Sequence, residues 1–173
     1  NGDDEIVAAI EVFRDISVQE DYRIMQEKFQ TLIRRYVSTA TYDEVMDQVK
    51  SGSNGNSRVK DLTVLQLDIV GFTRFSENHT PDDVVTLLND IFGICGVVIR
   101  EGHGEIEKFV GDAVLSTFID ANDAVNTGAR ILESLERYNE QRMESGEEPV
   151  SVRIGINSGT LLQGNIGTAE RKD

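Results

Sequence analysis

The chain has 173 residues, enough for one domain with a hydrophobic core and short additional segments. Its net charge of −14 argues against function through nonspecific binding to nucleic acid or to an anionic membrane surface. No apolar run reaches the length of a membrane span, and the single cysteine, Cys95, excludes an internal disulfide. We therefore expect a cytoplasmic location, either free or as the cytoplasmic part of a membrane-anchored protein.

The N-terminal segment predicts a strand followed by a helix. Residues 5–16 are rich in β-branched side chains, which favours a strand that pairs with an upstream segment or another chain. Apolar and aromatic residues then alternate spacings of four and three at Val18, Tyr22, Met25, Phe29, Leu32 and Tyr36. This heptad seam favours a dimeric coiled coil over the alternative, an amphipathic helix that packs on its own domain. A short helix over 41–49 and a flexible linker over 51–57 follow.

The globular part begins near Lys60 and predicts the order β-α-β-β-α-β. Strands are predicted over 62–69, 105–110, 113–119 and 150–158. The first helix begins at Thr80, with Pro81 in its first turn, and the second begins at Asp120 or Asn122. The second helix is expected to turn Ala124, Val125, Ile131, Leu132 and Leu135 inward. The predicted fold class is therefore α+β, a ferredoxin-like antiparallel sheet with helices on one face, preceded by a strand and a coiled-coil helix.

Two aspartates interrupt apolar, strand-like runs. Asp68 closes the first predicted strand, and Asp112 lies in the hairpin turn before the third. A buried charge is costly unless it is paired, hydrogen-bonded or bound to a metal. The first and third strands are neighbours in this fold, so both carboxylates reach one edge of the sheet. Two carboxylates beside a backbone loop favour a two-metal site for attack at phosphorus. Each aspartate alone also has a local explanation, because turns are rich in aspartate.

The residues next to these aspartates are candidates for substrate binding. Glycine in the loop after Asp68 permits close backbone approach, and successive N–H groups can bind a triphosphate. The loop consists of Ile69, Val70, Gly71, Phe72 and Thr73. Lys108, four residues before Asp112, is a candidate donor to a base or phosphate; the alternative is a lysine that extends from the sheet edge into water. Its neighbour Glu107 is expected to face the opposite side of the strand.

At these residues the sequence resembles the class III nucleotidyl cyclases, the adenylyl and guanylyl cyclase catalytic domain. The matching runs are 67–73, 107–114 and 152–159, and the resemblance covers residues 60–173. It implies that Asp68 and Asp112 bind two Mg²⁺ or Mn²⁺ ions, with the Ile69 carbonyl as a further ligand. It also implies that the 3′-hydroxyl of ATP attacks its own α-phosphorus, giving 3′,5′-cyclic AMP and pyrophosphate.

The resemblance also bears on base choice and assembly. Lys108 matches the base-selecting lysine of adenylyl cyclases, where guanylyl cyclases tend to carry glutamate. ATP is therefore the expected substrate, and GTP is the alternative. The family acts as a head-to-tail dimer in which one protomer supplies the aspartates and the other supplies the lysine. We therefore expect a homodimer formed through both the coiled coil and the catalytic domain.

The segments around the catalytic domain carry further expectations. Residues 1–17 resemble the last strand of a PAS sensor domain, so a sensor, a signalling helix and linker over 18–59, and a cyclase domain over 60–173 are predicted. The sequence ends at Asp173, before the family's second base-selecting residue and its transition-state asparagine and arginine. The fragment alone is therefore expected to be inactive. A second hypothesis follows, a catalytically incomplete dimerisation or nucleotide-binding module on the same fold.

Overall fold

The computed structural model describes residues 17–33, 37, 39–51 and 58–163 of the chain. Contacts within the chain divide it into two compact units, residues 1–36 and 37–173. The strand predicted over 5–16, the PAS-like segment to which it belongs, and residues 52–57 of the predicted linker lie outside the described residues. The three domain boundaries given above therefore stay predictions.

The first unit contains helix α1, Ser17–Ile33. Four residues of the predicted seam, Tyr22, Met25, Phe29 and Leu32, are exposed along this helix. Arg23 pairs with glutamates three and four residues away, a spacing that stabilises an isolated helix. The predicted helix is thus present over Ser17–Ile33 with these four residues exposed. The Val18 side chain and Tyr36 lie outside the described part of the chain, and dimerisation of the helix stays a prediction.

Among its described residues, the second unit contains four strands and four helices. Its described elements are α2 (Thr39–Ser51), β1 (Arg58–Ile69), α3 (Phe72–Asn78), α4 (Pro81–Glu101), β2 (Glu105–Val110), β3 (Ala113–Phe118), α5 (Ala121–Glu144) and β4 (Val152–Gln163). The strands form one antiparallel sheet in the order β2-β3-β1-β4. This arrangement confirms the predicted α+β, ferredoxin-like fold. None of the helices in these ranges is long and apolar enough to cross a membrane.

One face of the sheet packs against α4 and α5 and forms the core. In β1 the alternate residues Leu65, Leu67 and Ile69 are buried, as the two-residue period of a strand requires. They pack with side chains of the helices and of β3, namely Leu87, Ile91, Cys95, Ile99, Val114, Phe118, Ile131 and Leu135. The intervening residues of β1 therefore face away from the helices. We call these two sides the helix-covered face and the open face.

Two predictions about the helices are wrong in detail. Val125 and Leu132 of α5 are exposed, because each follows a buried residue and lies about 100° further around the helix, beyond the apolar stripe. Thr127 and Gly128 are instead buried on the side of α5 that packs against the sheet. The loop predicted to continue through Thr73 ends at Gly71, since Phe72 and Thr73 form the first turn of α3.

Helix α4 begins where the sequence predicts it. The Thr80 hydroxyl accepts a hydrogen bond from the Asp83 N–H at 3.3 Å, and the Asp83 carboxylate accepts one from the Thr80 N–H at 3.1 Å. This reciprocal capping box satisfies two donors that the first helical turn leaves unpaired. It fixes the start of the helix that carries Leu87 and Ile91 into the core.

Candidate active site

The sheet register brings the two predicted aspartates to one edge. Asp68 lies near the end of β1, opposite Ala113 of β3. Asp112 immediately precedes Ala113, in a tight turn that Gly111 enters with a left-handed φ of 61°. Residues directly opposite each other in an antiparallel sheet have Cα atoms about 4.5–5.5 Å apart. Asp112 is therefore one residue away from the cross-strand neighbour of Asp68, as the ferredoxin-like order predicts.

Arg153 of β4 pairs with Asp68 from the other side. The two residues lie opposite each other in the β1–β4 register, and Arg153 Nη2 donates to Asp68 Oδ2 at 2.8 Å. The Arg153 side chain is 72% exposed and that of Asp68 is 37% exposed. Exposed pairs of this kind contribute about 0.2–1 kcal/mol, so a competing cation can replace the guanidinium at little cost. Sequence reasoning gave Arg153 no role, because only the strand register shows that it reaches Asp68.

The donors at this edge suit a hard divalent cation that also binds its substrate. Asp68 and Asp112 offer carboxylate oxygens, and the backbone of Ile69 offers a carbonyl oxygen beside them. Within the described ranges, no group of three or more His, Cys, Asp or Glu side chains is arranged to hold a metal. Mg²⁺ is commonly bound by one or two carboxylates and completed by water and substrate phosphates, whereas structural zinc requires four protein ligands of the Cys or His type. The donor set therefore fits Mg²⁺ or Mn²⁺ shared with a polyphosphate.

The turn after Asp68 is fixed by the backbone. Gly71 has a left-handed φ of 74°, and a Cβ atom added there would meet nothing within 4 Å. Backbone conformation, not crowding, is thus the reason for glycine at this position. The Val70 N–H donates to the Ser151 carbonyl at 2.8 Å, which ties the turn to the residue before β4. This N–H is consequently occupied, and fewer of the predicted phosphate-binding donors remain available than the sequence suggested.

Lys108 lies on the edge strand β2, opposite Leu115 of β3. Leu115 alternates with the buried Val114 and Ser116, so Lys108 shares the open face with Asp68. Two strand spacings, about 10 Å in all, separate β2 from β1. The structure therefore places Lys108 and Asp68 on one face but does not bring them together within a single chain.

The expectation that Glu107 faces away from Lys108 is wrong. The β2–β3 register shifts between Ile106 and Lys108, so Glu107 is the extra residue of a β-bulge. Its carboxylate accepts a hydrogen bond from the Thr117 hydroxyl at 2.8 Å, and Thr117 belongs to the open face. A bulge interrupts the alternation of side chains, and no turn residue in the sequence signals it.

A cleft of about 1100 Å³ lies on the helix side of the same turn. It is bordered by the turn at 69–72, by α3 and the first half of α4, and by the end of α5 with the loop over 145–150. Neither Asp68 nor Asp112 lines it. The carboxylates instead lie at the edge of the open face, where both residues are partly exposed.

Comparison with known proteins agrees with this geometry. A family model for the adenylate and guanylate cyclase catalytic domain matches residues 55–172. An adenylate cyclase of Anabaena cylindrica is 35% identical over 125 residues, which cover 69% of this chain and 25% of that protein. The chain thus spans a quarter of the length of this relative.

Two solved structures share both sequence and fold with the chain. The guanylyl cyclase Cya2 is 35% identical with a TM-score of 0.61, and the match covers 67% of this chain and 62% of that one. The adenylyl cyclase CyaB from P. aeruginosa is 32% identical with a TM-score of 0.64, over 68% and 65% of the two chains. The family match covers most of the chain and agrees with the sheet order, and the chain belongs to the family of adenylate and guanylate cyclase catalytic domains.

Proposed function

We propose that this chain is the catalytic region of an adenylyl cyclase, which converts ATP to 3′,5′-cyclic AMP and pyrophosphate. The observation that carries the proposal is that Asp68, near the end of β1, and Asp112, in the turn before the neighbouring strand β3, lie at one edge of the sheet. The reaction forms a bond between the ribose 3′-oxygen and the α-phosphorus and breaks the bond to the β-phosphate oxygen. The resemblance of the chain to an adenylate cyclase over 125 residues supports this choice of reaction.

Asp68, Asp112 and the Ile69 carbonyl would hold two Mg²⁺ or Mn²⁺ ions. Bound there, such ions supply positive charge that favours the ionised 3′-hydroxyl and the developing charge on pyrophosphate. The two carboxylates fix where that charge lies, because each is anchored by strand pairing or by a tight turn. Arg153 donates a hydrogen bond to Asp68 when no substrate is present. The segment from Ile69 to Thr73, which comprises the turn and the start of α3, lies beside the carboxylates and would contact the triphosphate through its remaining N–H groups.

Lys108 would contact the base. An ammonium group only donates hydrogen bonds, and adenine presents an unprotonated ring nitrogen on its Watson–Crick edge, so Lys108 favours ATP. GTP is the second candidate substrate, since the chain is 35% identical to the guanylyl cyclase Cya2 over 67% of its length. The proposed metal ligands are the same whether ATP or GTP is the substrate.

A homodimer would complete the site. Lys108 lies about two strand spacings from Asp68 on the same open face, so a single chain does not bring it to the nucleotide. A second catalytic domain, packed head-to-tail on the open face, would bring its lysine there. The exposed apolar seam of α1 supports a parallel coiled coil as the second contact between protomers. The lone, buried Cys95 supports a cytoplasmic location.

The test uses the intact protein, with cyclic AMP measured from ATP in the presence of Mn²⁺. Asp68→Ala and Asp112→Ala are each expected to abolish product formation. Asp61→Ala is the matched control, since Asp61 is an exposed aspartate of β1 that accepts a hydrogen bond from Thr160 far from the site. Cyclic AMP formation by either site variant at the wild-type rate would overturn the assignment. A wild-type protein that binds ATP but forms no product would favour the catalytically incomplete module.

A further inference from the structure

One peptide unit links the turn after Asp68 to a proposed metal ligand. The Ile69 carbonyl and the Val70 N–H belong to the same peptide, which is trans. In a planar trans peptide the C=O and the N–H point in opposite directions. A contact that fixes the direction of the Val70 N–H therefore also fixes the direction of the Ile69 carbonyl.

The Val70 N–H is directed at the β4 side of β1. It donates to the Ser151 carbonyl at 2.8 Å, and this bond continues the β1–β4 pairing by one residue. The Ile69 carbonyl consequently points to the opposite side, where β3 is the other neighbour of β1. Continuing the β1–β3 register by one residue brings Asp112 opposite Ile69. The hydrogen bond to Ser151 thus directs the carbonyl to the side that carries Asp112.

Asn139 of α5 holds the segment that provides this acceptor. Its side chain donates to the Val150 carbonyl at 2.8 Å and accepts from the Val150 N–H at 2.7 Å, both in a partly buried position. Val150 is the residue before Ser151, and β4 begins only at Val152. The position of the Ser151 carbonyl, ahead of the strand, therefore depends on the bonds that Asn139 makes next to it.

Arg142, one turn further along α5, holds the preceding part of the same loop. Its Nε donates to the Glu148 carbonyl at 2.8 Å, and its Nη1 lies 2.8 Å from a carboxylate oxygen of Glu147. Its side chain is only 11% exposed, and Nη1 also donates to the Tyr138 hydroxyl at 3.3 Å. A guanidinium with these three partners stays in one position, and it holds the loop over 145–150 against α5.

We propose that Asn139 is a positioning residue for the metal site. By holding Ser151 beside the turn, it sets the direction of the Ile69 carbonyl, which lies next to the two aspartates. Arg142 supports the same loop from the next turn of the helix. This inference rests on the proposed cyclase function and deepens it, because it names a residue of the helix layer that orients a metal ligand of the sheet.

Asn139→Ala in the intact protein is the direct test, with calorimetric titration of Mn²⁺ alone as the first readout. Loss of both bonds to Val150 releases the Ser151 carbonyl. The dissociation constant for Mn²⁺ is expected to rise about tenfold, the low end for loss of a group that orients a metal ligand. Hydrogen exchange of the Val70 amide, followed by NMR, is expected to become faster, because its acceptor is no longer fixed. An unchanged Mn²⁺ affinity or an unchanged Val70 exchange rate in the folded variant overturns the proposal.

Ile131→Val is the matched control for loss of stability. Ile131 is fully buried in the core and lies about two turns before Asn139 on the same helix. This variant is expected to lower the melting temperature and to keep the wild-type affinity for Mn²⁺. A loss of affinity equal to that of Asn139→Ala would assign the effect to general destabilisation and overturn the proposal.

Arg142→Lys loosens the loop by a second route. Lysine keeps the positive charge near Glu147 but lacks the planar set of N–H donors that reaches the Glu148 carbonyl. The affinity for Mn²⁺ is expected to fall by a smaller factor than in Asn139→Ala. Tighter binding of Mn²⁺ in either variant overturns the proposal.

The outcomes separate this inference from the proposed function. A wild-type protein that neither binds Mn²⁺ nor forms a cyclic nucleotide refutes both. A wild type that forms cyclic AMP, with no loss of Mn²⁺ affinity in Asn139→Ala, refutes this inference alone.

Discussion

The two faces of the sheet divide stability from chemistry, residue by residue. In β1, Leu65, Leu67 and Ile69 are buried under the helices, while Gln66 and Asp68 lie between them on the open face. Strand geometry alone produces this separation, because successive side chains point to opposite faces. Substitutions at neighbouring positions of a strand should therefore have different effects. Substitutions on the helix-covered face should unfold the protein, and those on the open face should spare the fold while changing the function.

The largest effect is expected from Leu67→Ala on the helix-covered face. Leu67 is fully buried in the core, so the substitution removes three carbon atoms and leaves a cavity. We expect a loss of about 2–5 kcal/mol in the free energy of unfolding, measured by urea denaturation. Asp68→Asn, one residue further, should change it by less than about 1 kcal/mol, since the Arg153 pair is exposed. Equal destabilisation by both would contradict the division between the faces.

A smaller effect is expected where the helix layer holds the strand that carries Arg153. The Asn139 side chain donates to the Val150 carbonyl at 2.8 Å and accepts from the Val150 N–H at 2.7 Å. Asn139→Ala leaves both backbone groups without these partners in a partly buried site, at a cost of about 1–3 kcal/mol. Asn126→Ala, an exposed asparagine of the same helix, is the control, with a change within about 0.5 kcal/mol. A change in Asn139→Ala no larger than in the control would show that the loop does not depend on these bonds.

The sequence predicted the helix-covered face more fully than the open one. Period-two and capping patterns located the strands and the start of α4, because local interactions determine both. Asp68 and Asp112 were found because each interrupts an apolar run, and the strand order then placed them together. The Arg153 contact and the bulge at Glu107 escaped prediction. Both depend on which residue of one strand lies opposite which residue of another, and the local pattern of a single strand does not encode this.

Helix α3 and the buried side of α5 were not predicted correctly, for a related reason. Helix α3 spans only seven residues, and none of those described is fully buried. A helix this short shows no apolar periodicity from which it could be predicted. The inward direction predicted for Val125 and Leu132 failed because an apolar residue on a helix surface does not by itself indicate the buried side. Register and the width of the apolar stripe are properties of packing between elements.

The next effect tests the capping box of α4. Thr80→Ala should lower the free energy of unfolding by about 1 kcal/mol, the usual contribution of an N-cap side chain. The side chain and backbone of Thr80 lower the pKa of Asp83 by hydrogen bonding to its carboxylate. A lowered pKa gives stability that is present at neutral pH and is lost as the pH falls through the folded-state pKa, below about 4. The Thr80→Ala protein should therefore be less stable than the wild type at pH 7, and its free energy of unfolding should change less with pH in the acid range.

Urea midpoints at pH 7 and pH 3 measure this difference. Asp82→Asn is the control, because Asp82 shares the first turn but takes no part in the capping box. It should leave the acid dependence close to that of the wild type. If Thr80→Ala retains the full acid dependence, hydrogen bonding from Thr80 is not what lowers the pKa of Asp83.

The smallest effect tests whether the open face can change function without changing stability. Arg153 holds one oxygen of Asp68, so a divalent cation must displace it or bind beside its positive charge. Arg153→Ala should therefore bind Mn²⁺ about two- to fivefold more tightly in the absence of nucleotide, the range that an exposed pair provides. Calorimetric titration with Mn²⁺ alone measures this, and the melting temperature should stay within about 2 °C. Arg137→Ala removes the same charge from α5, where Arg137 donates to Ser134. An equal gain in both variants would assign the effect to net charge, whereas a gain confined to Arg153→Ala would show that the guanidinium competes with the metal for Asp68.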